Sequence, residues 1–343
     1  MPAAEIAFEY LALALEGTAT RGTAVTPPTH YLPYAGKVTP FREKYRPDES
    51  RGTLAETYRS KTVRAGAKIE CEGGFDVNYA PLTLAMLMKS VTAPTTPTNG
   101  VLTRLWTYSP TMTSDDIRTA TAYFGDPGVQ IFQSVFTYWD ELTITADATG
   151  TNAVQAKFTG AAQFPTRVSA PTAPTQNVGS LLMPSAMQLW IDIGATAIGT
   201  TEITGRFIKS EWKIPTGGVP KYYAKGPTSN LSFTKIGRKK RHAEAKIVVE
   251  LNDLSIGASQ EYRLWESDTI VKMRIRLNGS LIESVTPDYY EYLQLDIYGP
   301  LDAFAWGDVE GTNRTMEFTV MSESNATAAT DFVLYAQNTK TTI

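Results

Sequence analysis

The stretch Ala67–Val77 reads AKIECEGGFDV, and its alternation decides the fold class. Lys68, Glu70 and Glu72 alternate with Ile69 and Cys71 before the pair Gly73-Gly74. A period of two is the pattern of a β-strand that buries one face and wets the other. The same period recurs along the chain, in 103–109 (TRLWTYS), 141–147 (ELTITAD), 246–251 (KIVVEL) and 271–279 (VKMRIRLNG), and in part in 153–164 (AVQAKFTGAAQF). LQLDIYG and MEFTVM complete the set. β-Branched and aromatic residues dominate these runs, as a pleated, half-buried surface requires.

Helical signal is sparse. Residues 78–91, NYAPLTLAMLMKSV, carry Pro81 in a first turn and place Leu84, Leu87 and Met88 on one face. Residues 255–267, SIGASQEYRLWES, form a second short candidate. The chain is therefore expected to be mainly β, with two tandem sandwich- or barrel-like domains, each holding one short helix. Its 343 residues exceed the roughly 250–300 at which a single core usually stops growing. Pro165, Pro171, Pro174 and Pro184 mark the boundary, with domains expected at 1–165 and 187–343 and a Pro-rich linker at 166–186. A short echo links 136–150 (FTYWDELTITADATG) to 207–217 (FIKSEWKIPTG) and suggests related domains.

Composition narrows the function. Hydrophobic residues make up 42% and charged residues 20%, with a net charge of −3, so bulk charge gives no grip on nucleic acid. The single cysteine, Cys71, lies on the apolar side of its strand and reads as a small buried hydrophobe. With His30 and His242 as the only histidines, no metal site of known spacing can be written, and no cofactor is expected. No nucleophile elbow, phosphate loop, dinucleotide loop or zinc-protease helix is present, so no enzyme is expected. Asp115 and Asp116 beside Arg118, and Asp308 with Glu310 in WGDVEG, read as turns. The N-terminal run at Leu11–Leu15 lacks basic residues before it, so no signal peptide is expected, and the four glycosylation sequons read as chance matches. No apolar stretch approaches the ~18 residues of a membrane span.

Three polar features remain. Arg238, Lys239, Lys240 and Arg241 form the densest charge run, which reads as a solvated hairpin tip between the strands LSFTKI and AEAKIVVEL, a contact between subunits, or a phosphate- or DNA-binding patch. Lys272, Arg274 and Arg276 share one side of a strand. Residues 36–60 are polar and poor in core residues, and read as an arm or loop.

A resemblance organises these features. Residues 11–34, LALALEGTATRGTAVTPPTHYLPY, are similar to the opening of tail tube proteins of long-tailed, siphovirus-like bacteriophages, through Glu16, Gly22, Thr23, Ala24, Val25, Pro27, Tyr31, Leu32 and Pro33. Residues 60–88 resemble the family's strand–turn–helix segment, and 140–165 the segment that follows. The likeness covers roughly residues 10–165. It implies a virion protein, assembled in the bacterial cytoplasm, whose subunits join strands around a channel that passes DNA. The implied partners are further copies in stacked rings, a tape measure protein, and tail-tip and terminator proteins. The doubled length implies three two-domain chains per ring. On this resemblance Lys68, Glu70 and Glu72 are lumen candidates. DNA carries one charge per roughly 1.7 Å of duplex, so a mildly acidic wall lets it slide where a basic one would hold it. The run 238–241 and Lys272, Arg274 and Arg276 then belong to subunit contacts or an outer face, and 36–60 to an arm that orders on ring stacking or closure. A carbohydrate-binding β-sandwich with an exposed row of aromatics, and a baseplate hub or connector ring, are the alternatives.

Overall fold

The computed structural model of the protein describes residues 5–45, 61–87, 94–110, 117–172, 181–223, 232–251, 261–310, 313–323 and 330–343. The fold is mainly β. The first half holds β1 (Ile6–Phe8), β2 (Tyr10–Leu15), β3 (His30–Leu32), β4 (Ala35–Tyr45), β5 (Lys61–Gly74), α1 (Ala80–Leu87), β6 (Arg104–Tyr108), β7 (Ala120–Asp126), β8 (Gln130–Asp147), β9 (Gln155–Ala162) and β10 (Thr166–Val168). The second holds β11 (Met187–Ile193), β12 (Phe207–Pro215), β13 (Gly218–Lys221), β14 (Lys235–Arg238), β15 (Glu244–Glu250), α2 (Glu261–Glu266), β16 (Val271–Glu283), β17 (Tyr289–Gly299), β18 (Leu301–Glu310), β19 (Asn313–Met321) and β20 (Phe332–Asn338).

One long sheet runs β1-β4-β5-β9-β8-β12-β15-β19-β18, antiparallel throughout. Within it a four-strand order appears twice. Two strands are followed by a helix, and a later hairpin returns beside them: β4-β5-β9-β8 with α1, then β12-β15-β19-β18 with α2. The seam between the units is β8 against β12, with Asp147 opposite Lys209 at one end and Glu141 opposite Pro215 at the other. The two echoing segments are therefore direct neighbours across this seam. They do not hold equivalent places in the repeat, where β8 corresponds to β18 and β12 to β4.

A five-stranded sheet, β11-β16-β17-β20-β6, packs on the long sheet through one shared core. Val271, Met273, Ile275 and Leu277 face inward from β16, as their alternation requires, and join Trp212 and Phe318 of the long sheet. β6 comes from the first half but pairs with β20, Trp106 standing opposite Ala336. The segment 166–186 is packed at both ends. β10 pairs with β8, and Leu182 is fully buried in the common core. Neither the sheet nor the core breaks at 166–186, because the apolar rows of both halves are continuous across β8 and β12.

β8 turns a corner. Its first part pairs with β7, and its second with β9 and β12. The turn falls at Phe136, a non-glycine residue with φ 55°. Such a backbone is strained and needs its surroundings to hold it. Glu16, 8% exposed, supplies the hold. Its Oε1 accepts from the Phe136 amide (2.8 Å) and the Thr121 hydroxyl (3.2 Å), and its Oε2 from the Gly22 amide (2.8 Å) and the Thr119 hydroxyl (2.7 Å).

Residues 36–45, expected as part of an arm, are strand β4, paired with β5 from Ala35–Glu72 to Tyr45–Lys61. The polar sequence misleads because only Val38 of this strand is fully buried. The rest of the expected arm, 46–60, lies outside the described residues. α1 begins at Ala80, with Pro81 in its first turn. The expected apolar face is not the reason for this helix. Leu82, Thr83, Leu84, Ala85 and Met86 are all buried, so the helix is enclosed on every side. Residues 306–310, expected as a turn, are strand in β18, because the reversal into β19 falls after Glu310. Asp115 and Asp116 lie outside the described residues.

In the five-stranded sheet, Glu283 at the end of β16 ties down the loop before β6. It accepts from the Thr103 hydroxyl and from the amides of Val101 (3.0 Å), Leu102 (3.2 Å) and Thr103 (2.9 Å). The Thr103 hydroxyl, then these amides, lower its pKa to about 2. A carboxyl depressed on folding stabilises above its unfolded value, 4.5, and loses that contribution as pH falls towards about 2. Amide exchange at Val101–Thr103 is accordingly expected to gain an extra acceleration below pH 4.5. Glu283→Gln should show the loosened loop already at pH 7. Identical exchange in the two proteins at pH 7 would refute the clasp.

Candidate functional site

The long sheet carries one continuous charged face. On β5, Ile69 and Cys71 are buried while Lys68 and Glu72 are exposed and Glu70 is half-buried, as the alternation requires. Burial pushes the Cys71 thiol far above its ordinary value, which leaves it an inert apolar group. Antiparallel pairing puts directly opposed residues on the same face, so the neighbours of these charges can be read strand by strand. Lys37 stands opposite Glu70, Lys157 opposite Glu72, Lys209 opposite Asp147, Lys246 opposite Glu211, and Glu244 opposite Lys213. Opposite charges facing each other across strands stabilise the pairing modestly.

Ion pairs lace this face. Lys37 reaches Glu5 (3.3 Å) and Glu70 (3.8 Å), Lys209 reaches Asp147 (3.5 Å), and Lys246 reaches Glu317 (2.9 Å). Lys213 lies 3.3 Å from Glu211 and 3.9 Å from Glu244. Burial works against the charge of Lys213, but Glu244, Glu211 and Glu141 outweigh it and hold its pKa above the ordinary value. Each exposed pair contributes only about 0–1 kcal/mol. Their larger consequence is electrostatic: the face presents compensated charge, with carboxylates beside nearly every lysine. Lys68, Glu70 and Glu72 thus lie on one face, where Glu70 and Glu72 stand opposite Lys37 and Lys157 and Lys68 stands between Thr39 and Ala161. The face crosses the β8–β12 seam without interruption.

The two ends of the long sheet differ. At one end β1 covers β4 at residues 36–38, and among the described residues no strand lies beside 39–45 on that side. At the other end β18 pairs only with β19 among the described strands. Phe304 and Trp306 of β18 point to the core side, opposite Phe318 and Met316. With Tyr262 and Trp265 of α2 they form a ring cluster with centroids 5.3–6.2 Å apart. Trp306 is 58% exposed and Tyr262 and Trp265 37% each. Composition alone says nothing of this cluster, because its members are brought together from two elements.

The other site candidates are held within the chain. Arg274 donates to both oxygens of Asp296 (2.8 and 2.7 Å), a pairing that raises its pKa. Arg276 donates through Nε to Gln294 (2.8 Å) and stacks on Tyr292 (4.5 Å) and Trp190 (5.5 Å). Lys272 donates to the carbonyls of Gly194 (2.7 Å) and Thr196 (3.0 Å). All three lie on the outward side of the five-stranded sheet. The run 238–241 is not a hairpin tip between LSFTKI and AEAKIVVEL. Those strands do not pair with each other: β14 pairs with β13, and β15 with β12 and β19. Arg238 donates to the Thr216 carbonyl, Arg241 is half-buried, and Lys239 and Lys240 are exposed in the connector. Phe233, just before β14, packs on Phe136 (5.3 Å) and Tyr138 (6.1 Å), and so anchors this ribbon on the first half.

Among the described residues, no group of three or more His, Cys, Asp or Glu could hold a metal ion. None of the described helices is long and apolar enough to cross a membrane. No protein-family model matches the chain, and no curated protein matches it.

Proposed function

We propose that this protein is a virion structural protein that joins head to tail into rings, which stack into the hollow tail tube of a long-tailed, siphovirus-like bacteriophage. The carrying observation is the doubled four-strand unit: one sheet, one compensated charged face, and, among the described residues, a different unpaired edge at each end. A contact between unlike edges is heterologous, and such contacts generate closed rings when the rotation returns to its start. Closure also removes exposed strand edges, which otherwise invite uncontrolled pairing. Each chain brings two units, so three chains would make a ring of six.

In this reading the charged face lines the channel, with Lys68, Glu70 and Glu72 in the wall. Duplex DNA meets carboxylates interspersed with lysines and passes without being held. The tube is built in the bacterial cytoplasm, carries no cofactor and performs no reaction. Its partners are further copies, a tape measure protein and the tail-tip and terminator proteins. A single-ring baseplate hub or connector would use the same edges without stacking.

Negative-stain electron microscopy of the purified protein over a concentration series tests the reading. Hollow tubes or stacked rings with six units around the axis are expected. A monomer at every concentration, or rings of six whole chains, would count against it. A second test addresses the channel. Tubes of the double variant Glu70→Lys, Glu72→Lys should retain duplex DNA in ~0.05 M salt and release it steeply as salt rises. Wild-type tubes should retain none; equal retention by both would remove these residues from the wall.

A further inference from the structure

β18, which has no strand on its outer side among the described residues, carries more apolar surface than an edge facing water should. Trp306, Trp265 and Tyr262 are all at least 37% exposed, yet they stack on Phe304 and on one another. An ordered aromatic patch of this kind marks an interaction surface. We propose that Tyr262, Trp265, Phe304 and Trp306 are the seat for residues 39–45 of β4 from a second copy of this chain. The inference rests on the ring reading and names the contact that would close the ring.

The chain contains its own template for this contact. α1 packs against β8 as α2 packs against β18. Beside β8, the core-side residues Leu142 and Ile144 are sealed by Ile214 and Trp212 of β12, and all four are buried. β18 presents Phe304 and Trp306 on the corresponding side without a strand beside it among the described residues. The strand that holds the place of β12 in the other unit is β4. β12 engages the seam through residues 209–215, and on β4 the equally long run 39–45 has no strand on its outer side among the described residues.

The side chains on that run suit the seat. Pro40 and Arg42 face the core side, opposite Ala67 and Ala65. Proline rings and guanidinium groups both pack on aromatic faces. Arg42 already lies 4.2 Å from the ring of Phe164 in its own chain, so the stacking would continue from one copy into the next. On the charged side, Ala303 and Ala305 of β18 are small and exposed, and leave room for Phe41 and Glu43 of the incoming strand.

Engineered cysteines read the contact directly, because the native Cys71 is buried. Ala305→Cys is mixed with either Thr39→Cys or Glu43→Cys and oxidised under assembly conditions. Disulfide-linked dimers are expected in at least one mixture and in none of the three variants alone. In parallel, Trp306→Ser should raise the concentration needed for assembly at least tenfold while leaving the thermal unfolding of the monomer unchanged. If wild type assembles but the mixtures give no crosslink and Trp306→Ser assembles normally, this seat is wrong and the ring reading stands. Dimers from Ala305→Cys alone would mean that two β18 edges pair with each other, which overturns the head-to-tail seat. A wild-type chain that stays monomeric throughout overturns both. If Trp306→Ser fails to fold, the crosslinks decide.

Discussion

Trp212→Ala is expected to lower the stability of the whole chain by about 4 kcal/mol, in a single transition. Trp212 is fully buried on β12, with Ile144 of β8 on one side and Ala245 of β15 on the other. It therefore sits where the first half meets the second. Truncation removes the largest side chain of the seam and leaves a cavity that rigid strands cannot close. The indole Nε1 has no hydrogen-bond partner in the interior, so part of the native tryptophan's burial is already offset by an unsatisfied donor. Trp212→Phe, which deletes that donor and keeps an aromatic ring, should cost only about 1–2 kcal/mol. Denaturant unfolding followed by near-UV and far-UV circular dichroism measures both. Two separated transitions, with only one displaced by Trp212→Ala, would show that the halves fold independently despite their shared core.

Glu16→Ala should cost about 3 kcal/mol, because it strands the buried Phe136 amide, the half-buried Gly22 amide and two buried hydroxyls. The hydroxyls can turn to other acceptors; the amides of Gly22 and Phe136 cannot. The isosteric Glu16→Gln is informative. Each carboxylate oxygen serves one amide and one hydroxyl, so an NH2 group at either place meets a donor with a donor. It should cost about 2 kcal/mol despite its unchanged shape. Hydrogen exchange at Phe136 supplies the local readout, since that amide holds β8 at φ 55° where it passes between sheets. Unchanged exchange in Glu16→Ala would mean that packing against Phe233, not the carboxylate, fixes the corner.

These two variants also separate fold from assembly. Both act through the interior, and neither side chain lies on the charged face or at an open edge. If the protein assembles as proposed, a loss of assembly in Trp212→Ala would follow from the subunit's own instability. A loss in Trp306→Ser, with the monomer intact, would follow from the contact between copies. The charged face belongs to a third category. Its exposed ion pairs add little stability, so changing Glu70 and Glu72 should alter what the surface attracts and leave the sheet beneath it in place.

The amino-acid sequence by itself determined the mainly β class, because alternation is a local property: Ile69 and Cys71 inward with Lys68 and Glu72 outward, and the same for Val271 to Leu277 against Lys272 to Arg276. It also placed both short helices and the inert character of Cys71. It misread β4, since a strand near a sheet edge with one fully buried residue has almost no apolar signature. It read β8 and β12 as an echo when they are partners, because strand pairing is decided by side-chain fit between segments far apart in the chain. Only the tertiary structure decided that β6 crosses to the second sheet, that Arg274 answers Asp296, and that four aromatics from α2 and β18 converge at an open edge. Each of those facts depends on contacts between distant segments, and burial of the common core brings those segments together.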